Sequence, residues 1–292
     1  MKILVLGANG MLGHALVNSL TQGDDISVYV STRANAVNPA LSKLPALQII
    51  SDVDVSHIEN LEAVMLNVKP DVVINCIGLV KQYKDSEDLQ KAMQLNAVLP
   101  HQIAALCALN KARLIHISTD CVFSGLKGDY LETDPADAKD IYGVSKFLGE
   151  VDYPHALTLR TSIIGHELPN ASGQTHGLVE WFLAQGKECP GYTKAVFSGL
   201  PTVVLANLIR DVVLKKPDLR GVYHVSAAPI SKYNLLKLVA KAYGKQIELI
   251  PDDRLVIDRS LNSSRFTKQT GFIAPSWEEM IHAMQINREL NV

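Results

Sequence analysis

Tyr142-Gly-Val-Ser-Lys146 places a phenol and an ammonium four residues apart, on one face if the segment is helical. A free phenol has a pKa of about 10, and a neighbouring ammonium that stabilises the phenolate brings it toward the working range. A carbonyl reductase needs such a proton donor for the alkoxide that an incoming hydride creates. The spacing is not decisive by itself, because Tyr233-Asn-Leu-Leu-Lys237 repeats it. Company separates the two. Tyr142 follows a strand candidate that ends in Ser118-Thr119-Asp120-Cys121-Val122-Phe123, which puts hydroxyls at the carboxyl edge of a sheet, where open α/β folds bind ligands. Tyr233 lacks that partner and reads as packing or surface on a C-terminal helix.

A second chemistry-bearing run lies at the other end of the domain. Gly7-Ala8-Asn9-Gly10-Met11-Leu12-Gly13 follows an apolar strand candidate and leads into a helix. Glycines at this spacing give a tight turn, close backbone approach to a pyrophosphate and close helix–strand contact. The helix N-terminus then offers free N–H groups to the phosphates. The second strand ends near the adenosine ribose. An acid there would hold the 2′-hydroxyl of NAD, but Ser31-Thr32-Arg33 offers hydroxyls and a guanidinium, which suits the 2′-phosphate of NADP. NADP(H) is the expected cofactor, with NAD(H) as the alternative. Asp54-Val55, after the third strand, is placed to meet the adenine.

These residues need a scaffold. The chain has 292 residues, 47% hydrophobic and 20% charged, which fits a globular α/β chain of one large domain with an appendage. A formal net charge of −2 gives no footprint for nucleic acid or an anionic membrane. The apolar Ile3–Leu6 run is too short for a signal peptide, no run of 18 apolar residues occurs, and the expected location is the cytoplasm. Four cysteines without C-x-x-C spacing read as free thiols, and nine histidines without ligand spacing give no support to a metal site.

Strand candidates are Lys2–Leu6, Ile26–Val30, Leu47–Ile50, Asp71–Asn75, Arg113–Ser118 and Ala156–Arg160, each apolar on nearly every residue, as parallel strands covered on both faces are. Helical patterns lie between them; Ile58–Val68 carries a candidate capping box in Ser56 and Glu59. The alternation predicts a Rossmann-type, doubly wound parallel sheet. The rhythm breaks after Arg160. A helix over Thr202–Lys216 and a strand over Val222–Val225 return to the sheet, followed by helices at Ser231–Tyr243 and from Ser276–Glu279. The expected division is a dinucleotide-binding domain over 1–165, rejoined by 202–226, and a substrate lobe made of 166–201 and 227–292.

Taken in order, Gly7-x-x-Gly10-x-x-Gly13, the turn Asn75-Cys76-Ile77-Gly78, Ser118-Thr119-Asp120-x-Val122-Phe123 and Tyr142-x-x-x-Lys146 resemble the extended short-chain dehydrogenase/reductase family. The S-T-D-x-V-F form, Leu159-Arg160-Thr161 and Ser276-Trp277-Glu278-Glu279 resemble its dTDP-4-dehydrorhamnose reductase branch. The resemblance implies that Thr119 bonds the substrate carbonyl oxygen and Tyr142 donates the proton. It implies that Lys146 lowers the Tyr142 pKa and holds the nicotinamide ribose, and that Asn96 orders a lysine–water relay. Cys76, Ile77 and Gly78 would line the dinucleotide. The implied reaction is reduction of the C4 ketone of a nucleotide-activated deoxysugar, for cell-surface polysaccharide.

Two departures stand out: Cys121 where the branch has Tyr, and Ala15 where metal-dependent members carry an acid, so a Mg²⁺-bridged dimer is not expected. A homodimer of another kind stays open. Lys81, Trp181, Tyr192 and Arg265, or Arg259 in its place, are candidates for the nucleotide-sugar. Two other readings fit the same motifs: an epimerase or dehydratase of this fold, and a catalytically silent NADP(H)-binding regulatory subunit.

Overall fold

In the first strand Ile3, Leu4, Val5 and Leu6 are all 0% exposed, because alternate residues feed two separate apolar layers. The computed structural model describes residues 1–23, 25–33, 38–44, 46–79, 88–168 and 177–290. Lys81 lies outside the described residues.

The strands are β1 (Lys2–Leu6), β2 (Ser27–Ser31), β3 (Leu47–Ile50), β4 (Val72–Asn75), β5 (Arg113–Thr119), β6 (Ala156–Thr161), β7 (Ile163–Ile164), β8 (Glu188–Tyr192), β9 (Ala195–Phe197), β10 (Leu200–Pro201), β11 (Gly221–His224), β12 (Ile230–Ser231), β13 (Glu248–Asp252) and β14 (Ile257–Asp258). Seven of them form one parallel sheet in the order β11-β6-β5-β4-β1-β2-β3. The winding direction reverses between β1 and β4, and the crevice at their carboxyl ends is where such sheets bind ligands.

Ile3 and Val5 belong to one apolar layer with Leu12, Leu16 and Leu20 of the helix Met11–Leu20 and Leu205 and Ile209 of the segment that follows β10. Leu4 and Leu6 belong to the other, with Leu61 and Met65 of Ile58–Val68 and Leu99 and Ile103 of Leu99–Leu109. By length and apolarity the continuous helix Leu89–Leu109 would suffice to cross a bilayer, but half of it is buried, with Ile103, Ala104 and Cys107 in that second layer.

The remaining strands make small sheets: β7 with β10, β8 with β13, and β9 between β12 and β14. The first layer continues into these segments through Phe182, Leu235, Phe266, Trp277 and Met280.

Local signals were realised unevenly. Ser276 and Glu279 do form a capping box, with Ser276 N–H and Oγ–H donating to Glu279 Oε2. Ser56 and Glu59 do not. Ser56 donates its N–H and hydroxyl to Asp54 Oδ1 instead, and His57 occupies the N-cap without a side-chain bond. An Asx-type turn two residues back captured the serine first. The second Tyr-x-x-x-Lys pair sits on Lys232–Ala242, where the Lys237 ammonium lies 5.5 Å from the Tyr233 ring centroid, a cation–π contact.

Candidate active site

Gly7 closes the turn after β1 at φ +84°, a conformation that glycine adopts without the Cβ penalty. A Cβ there would also stand 3.0 Å from the Cys76 carbonyl carbon and the Ile77 nitrogen, so the turn after β4 runs directly beside it. Gly13 is required by close approach, since its Cβ would fall 2.1 Å from Gly7 O. Gly10 is the N-cap of Met11–Leu20 and supplies no side-chain partner, which leaves the first N–H groups of the helix open at the sheet edge. Met11, Leu12 and Asn9 frame this mouth.

Thr32 follows β2. Its hydroxyl is buried, with 3% of the residue exposed, and has no hydrogen-bond partner. A buried hydroxyl left unmade costs about 1–3 kcal/mol, so this one fits a ligand oxygen. Arg33 beside it is exposed, and its guanidinium acts on Asp54. The Asp54 carboxylate lies below its ordinary range, chiefly through the Ser56 hydroxyl and N–H. Val55 is buried next to it. A glycine cradle, open helix N–H groups, an orphan hydroxyl at the ribose end and no acid after β2 together fit a phosphorylated dinucleotide.

The turn Asn75-Cys76-Ile77-Gly78 joins this cradle to the catalytic end. Asn75 Oδ1 accepts the Ile77 N–H. A Cβ on Gly78 would stand 3.1 Å from Asn96 Oδ1 and 3.8 Å from Lys146 Nζ, so the turn passes in front of the ammonium. Burial pushes the Cys76 thiol up to about 12, and Cys76 is an unreactive lining group. Asn96 lies in a π-helical turn, Met93–Val98, a distortion frequent at functional sites. Its Oδ1 accepts the Leu79 N–H, and its amide donates to Leu79 O and Ser145 Oγ. Asn96 therefore clamps the turn after β4 to the helix that carries Tyr142.

That helix, Ile141–Leu148, starts where Asp140 accepts the Gly143 N–H. Tyr142 and Lys146 share one face of it, and the Tyr142 phenol faces the Thr119 hydroxyl at the end of β5. Thr119, Tyr142 and Lys146 are thus brought to one edge. Burial pushes the Tyr142 pKa up, Cys121 and Asp120 add to this, and the Thr119 hydroxyl opposes it. Lys146 donates to Ile117 O at 2.8 Å, and burial lowers its own pKa to about 8. That bond uses one of the three ammonium N–H groups.

Behind this cluster lies a buried network. Arg160 makes a bidentate pair with Glu150, Nε to Oε1 at 2.7 Å and Nη2 to Oε2 at 2.6 Å, with side chains 6% and 5% exposed. Ser118 Oγ donates to Glu150 Oε1 at 2.7 Å, and Glu150 also acts on Lys146. A charged residue inside the apolar run Ala156–Thr161 was the sequence signal for such a pair.

The substrate candidates divide. Arg265, exposed on the helix Ser264–Thr270, donates to Val222 O and lies 4.4 Å from the Tyr223 ring centroid, both on the outer edge strand β11. It takes no part in the cluster. Arg259 does: its Nε donates to Phe123 O at 2.7 Å, its Nη1 lies 3.7 Å from Cys121 Sγ, and its charge acts on Asp120. Trp181 is 43% exposed on Leu178–Leu183, and Tyr192 is half-buried at the end of β8. Both stand outside the seven-stranded sheet. Gly177, which precedes that helix, reaches the first cradle, since its Cβ would lie 3.2 Å from Met11 Cε.

Comparison with known proteins follows the same outline. The dTDP-4-dehydrorhamnose reductase of Burkholderia thailandensis is 32% identical over 167 residues, 56% of this chain and only half the length of that protein. The dTDP-4-dehydrorhamnose reductase of Salmonella typhimurium is 26% identical over 310 residues, 95% of both chains. Among solved structures, the dTDP-4-dehydrorhamnose reductase of Bacillus anthracis in complex with NADP superposes with a TM-score of 0.79 at 22% identity, covering 98% of this chain and 99% of that one, a likeness of fold. The description "RmlD substrate binding domain" matches residues 1–288, and the chain belongs to that family.

Proposed function

We propose that this chain is an NADPH-dependent reductase of the 4-keto group of a nucleotide-activated deoxysugar, a dTDP-linked one, acting in the cytoplasm to supply cell-surface polysaccharide. The observation that carries this reading is the pair of Thr119 and Tyr142 hydroxyls beside the Lys146 ammonium, at the mouth of the glycine cradle.

Bound there, the dinucleotide supplies a hydride from its nicotinamide ring. Gly7 to Gly13 and the helix N-terminus hold its pyrophosphate, Thr32 and Arg33 the 2′-phosphate, and the turn Cys76–Gly78 its nicotinamide half. Lys146, with one N–H on Ile117 O, keeps others for the ribose. Thr119 holds the ketone oxygen. Tyr142 gives that oxygen its proton, and the raised phenol pKa keeps the proton in place until an alkoxide, far more basic than a phenolate, takes it. Residues 166–201 and 227–292 act as the substrate lobe, with Arg259 toward the pyrophosphate and Trp181 and Tyr192 available for stacking.

The test is NADPH consumption, followed at the nicotinamide absorbance, on a panel of 4-keto nucleotide-sugars; consumption with none of them would overturn the reading. In the same assay Arg33→Asp shifts the kcat/KM preference toward NADH by about tenfold to a hundredfold, the worth of one charged hydrogen bond. An unchanged ratio removes Arg33 from the cofactor site.

A further inference from the structure

Asp120 has no part in the chemistry described above, yet its carboxyl sits directly behind the hydroxyl that meets the ketone. Thr119 Oγ1 lies 3.2 Å from Asp120 Oδ1 and accepts the Cys121 N–H at 3.1 Å. Asp120 itself is 7% exposed. The groups around it are the Thr119 and Ser162 hydroxyls, the Cys121 thiol and the Arg259 guanidinium, while Tyr142, which also faces Asp140, feels its charge across the cluster.

A hydroxyl has one hydrogen and two acceptor lone pairs. One lone pair of Thr119 is committed to the Cys121 N–H. With the carboxyl ionised, the single hydrogen points at Asp120 and the remaining lone pair meets the ketone oxygen, acceptor against acceptor. With the carboxyl protonated, Asp120 donates to that second lone pair and the Thr119 hydrogen is free for the ketone.

We propose, resting on the reading of Thr119 given above, that Asp120 is a positioning residue which works in its protonated form and fixes Thr119 as the hydrogen-bond donor to the substrate carbonyl. Burial raises the Asp120 pKa, with Arg259 and the hydrogen bonds from Thr119, Cys121 and Ser162 opposing the shift. Ionised Asp120 also raises the Tyr142 pKa and so resists proton release from the phenol. Both effects have one sign: activity belongs below the Asp120 pKa and declines as pH rises through it.

The experiment is the pH profile of kcat for the wild type, Asp120→Asn and Asp120→Ala, with NADPH and a 4-keto nucleotide-sugar. The Asn amide keeps an N–H donor toward Thr119 and never ionises. The expected result is a few-fold loss of kcat for Asn and about tenfold or more for Ala, which loses the hydrogen bond. The decline due to Asp120 is absent from the Asn profile, while the decline of Lys146 near its pKa of about 8 persists. An Asn variant as impaired as Ala, or one that keeps every decline of the wild type, overturns the inference alone. The Asn profile suffices if Ala fails to fold. A wild type that consumes no NADPH overturns the functional reading, and this inference with it.

Discussion

Tyr142→Phe is expected to lose about 10²–10⁴-fold in kcat while binding NADPH as the wild type does. The substitution removes one oxygen and keeps the ring that packs beside Thr119 and Cys121, so the fold and the glycine cradle are untouched. The loss is in kcat because the phenol proton is transferred only as the alkoxide forms. The direction of the phenol pKa matters here. A resident phenolate would suit oxidation of an alcohol; burial holds Tyr142 in the protonated form, ready to reduce a ketone. Steady-state turnover together with a fluorescence titration of NADPH checks both halves. Turnover equal to the wild type would remove Tyr142 from the mechanism.

The second large effect is on stability. Glu150→Gln leaves Arg160 with a buried, uncompensated guanidinium, 6% exposed, whose other contacts are His224 Nε2 at 3.2 Å and the Phe123 ring, centroid at 5.3 Å. Removing one partner of such a pair costs about 3–5 kcal/mol. A denaturant-unfolding midpoint should fall accordingly, at an unchanged slope. Glu150 also supports the charge on Lys146, so the folded variant should lose activity at lower pH than the wild type. A stability change within about 0.5 kcal/mol, the range of an ordinary surface substitution, would mean that the pair does not hold the strand ends together.

The sheet was legible because most of its strands, β1 and β4 above all, are buried on both faces and hence largely apolar. Lys2–Leu6 and Leu47–Ile50 have the bounds read from sequence. Asp71 was read as the start of β4, but its carboxylate accepts the Lys2 N–H at 2.7 Å, which makes it a stop and not a strand residue. The strand read as Arg113–Ser118 runs one residue further, since Thr119 pairs with Thr161 in the parallel register.

At the site, glycine spacing and the Tyr142–Lys146 spacing carried through because each follows from backbone geometry. The partner of Lys146 did not, since the Ile117 carbonyl has no signature in a sequence. The choice between Arg259 and Arg265 depended on the path of the chain after β14, which turns one guanidinium toward Cys121 and the other onto Tyr223. Asp120 looked like an ordinary member of a motif, and only its 7% exposure and its contact with Thr119 gave it a task.

The most direct measurement of the central claim is transfer of label from NADPH deuterated at the nicotinamide C4 to a dTDP-4-keto-6-deoxysugar. The account predicts deuterium at sugar C4 of the alcohol product, one per NADPH consumed. Product without deuterium, or an epimerised sugar formed with no net NADPH consumption, would contradict it.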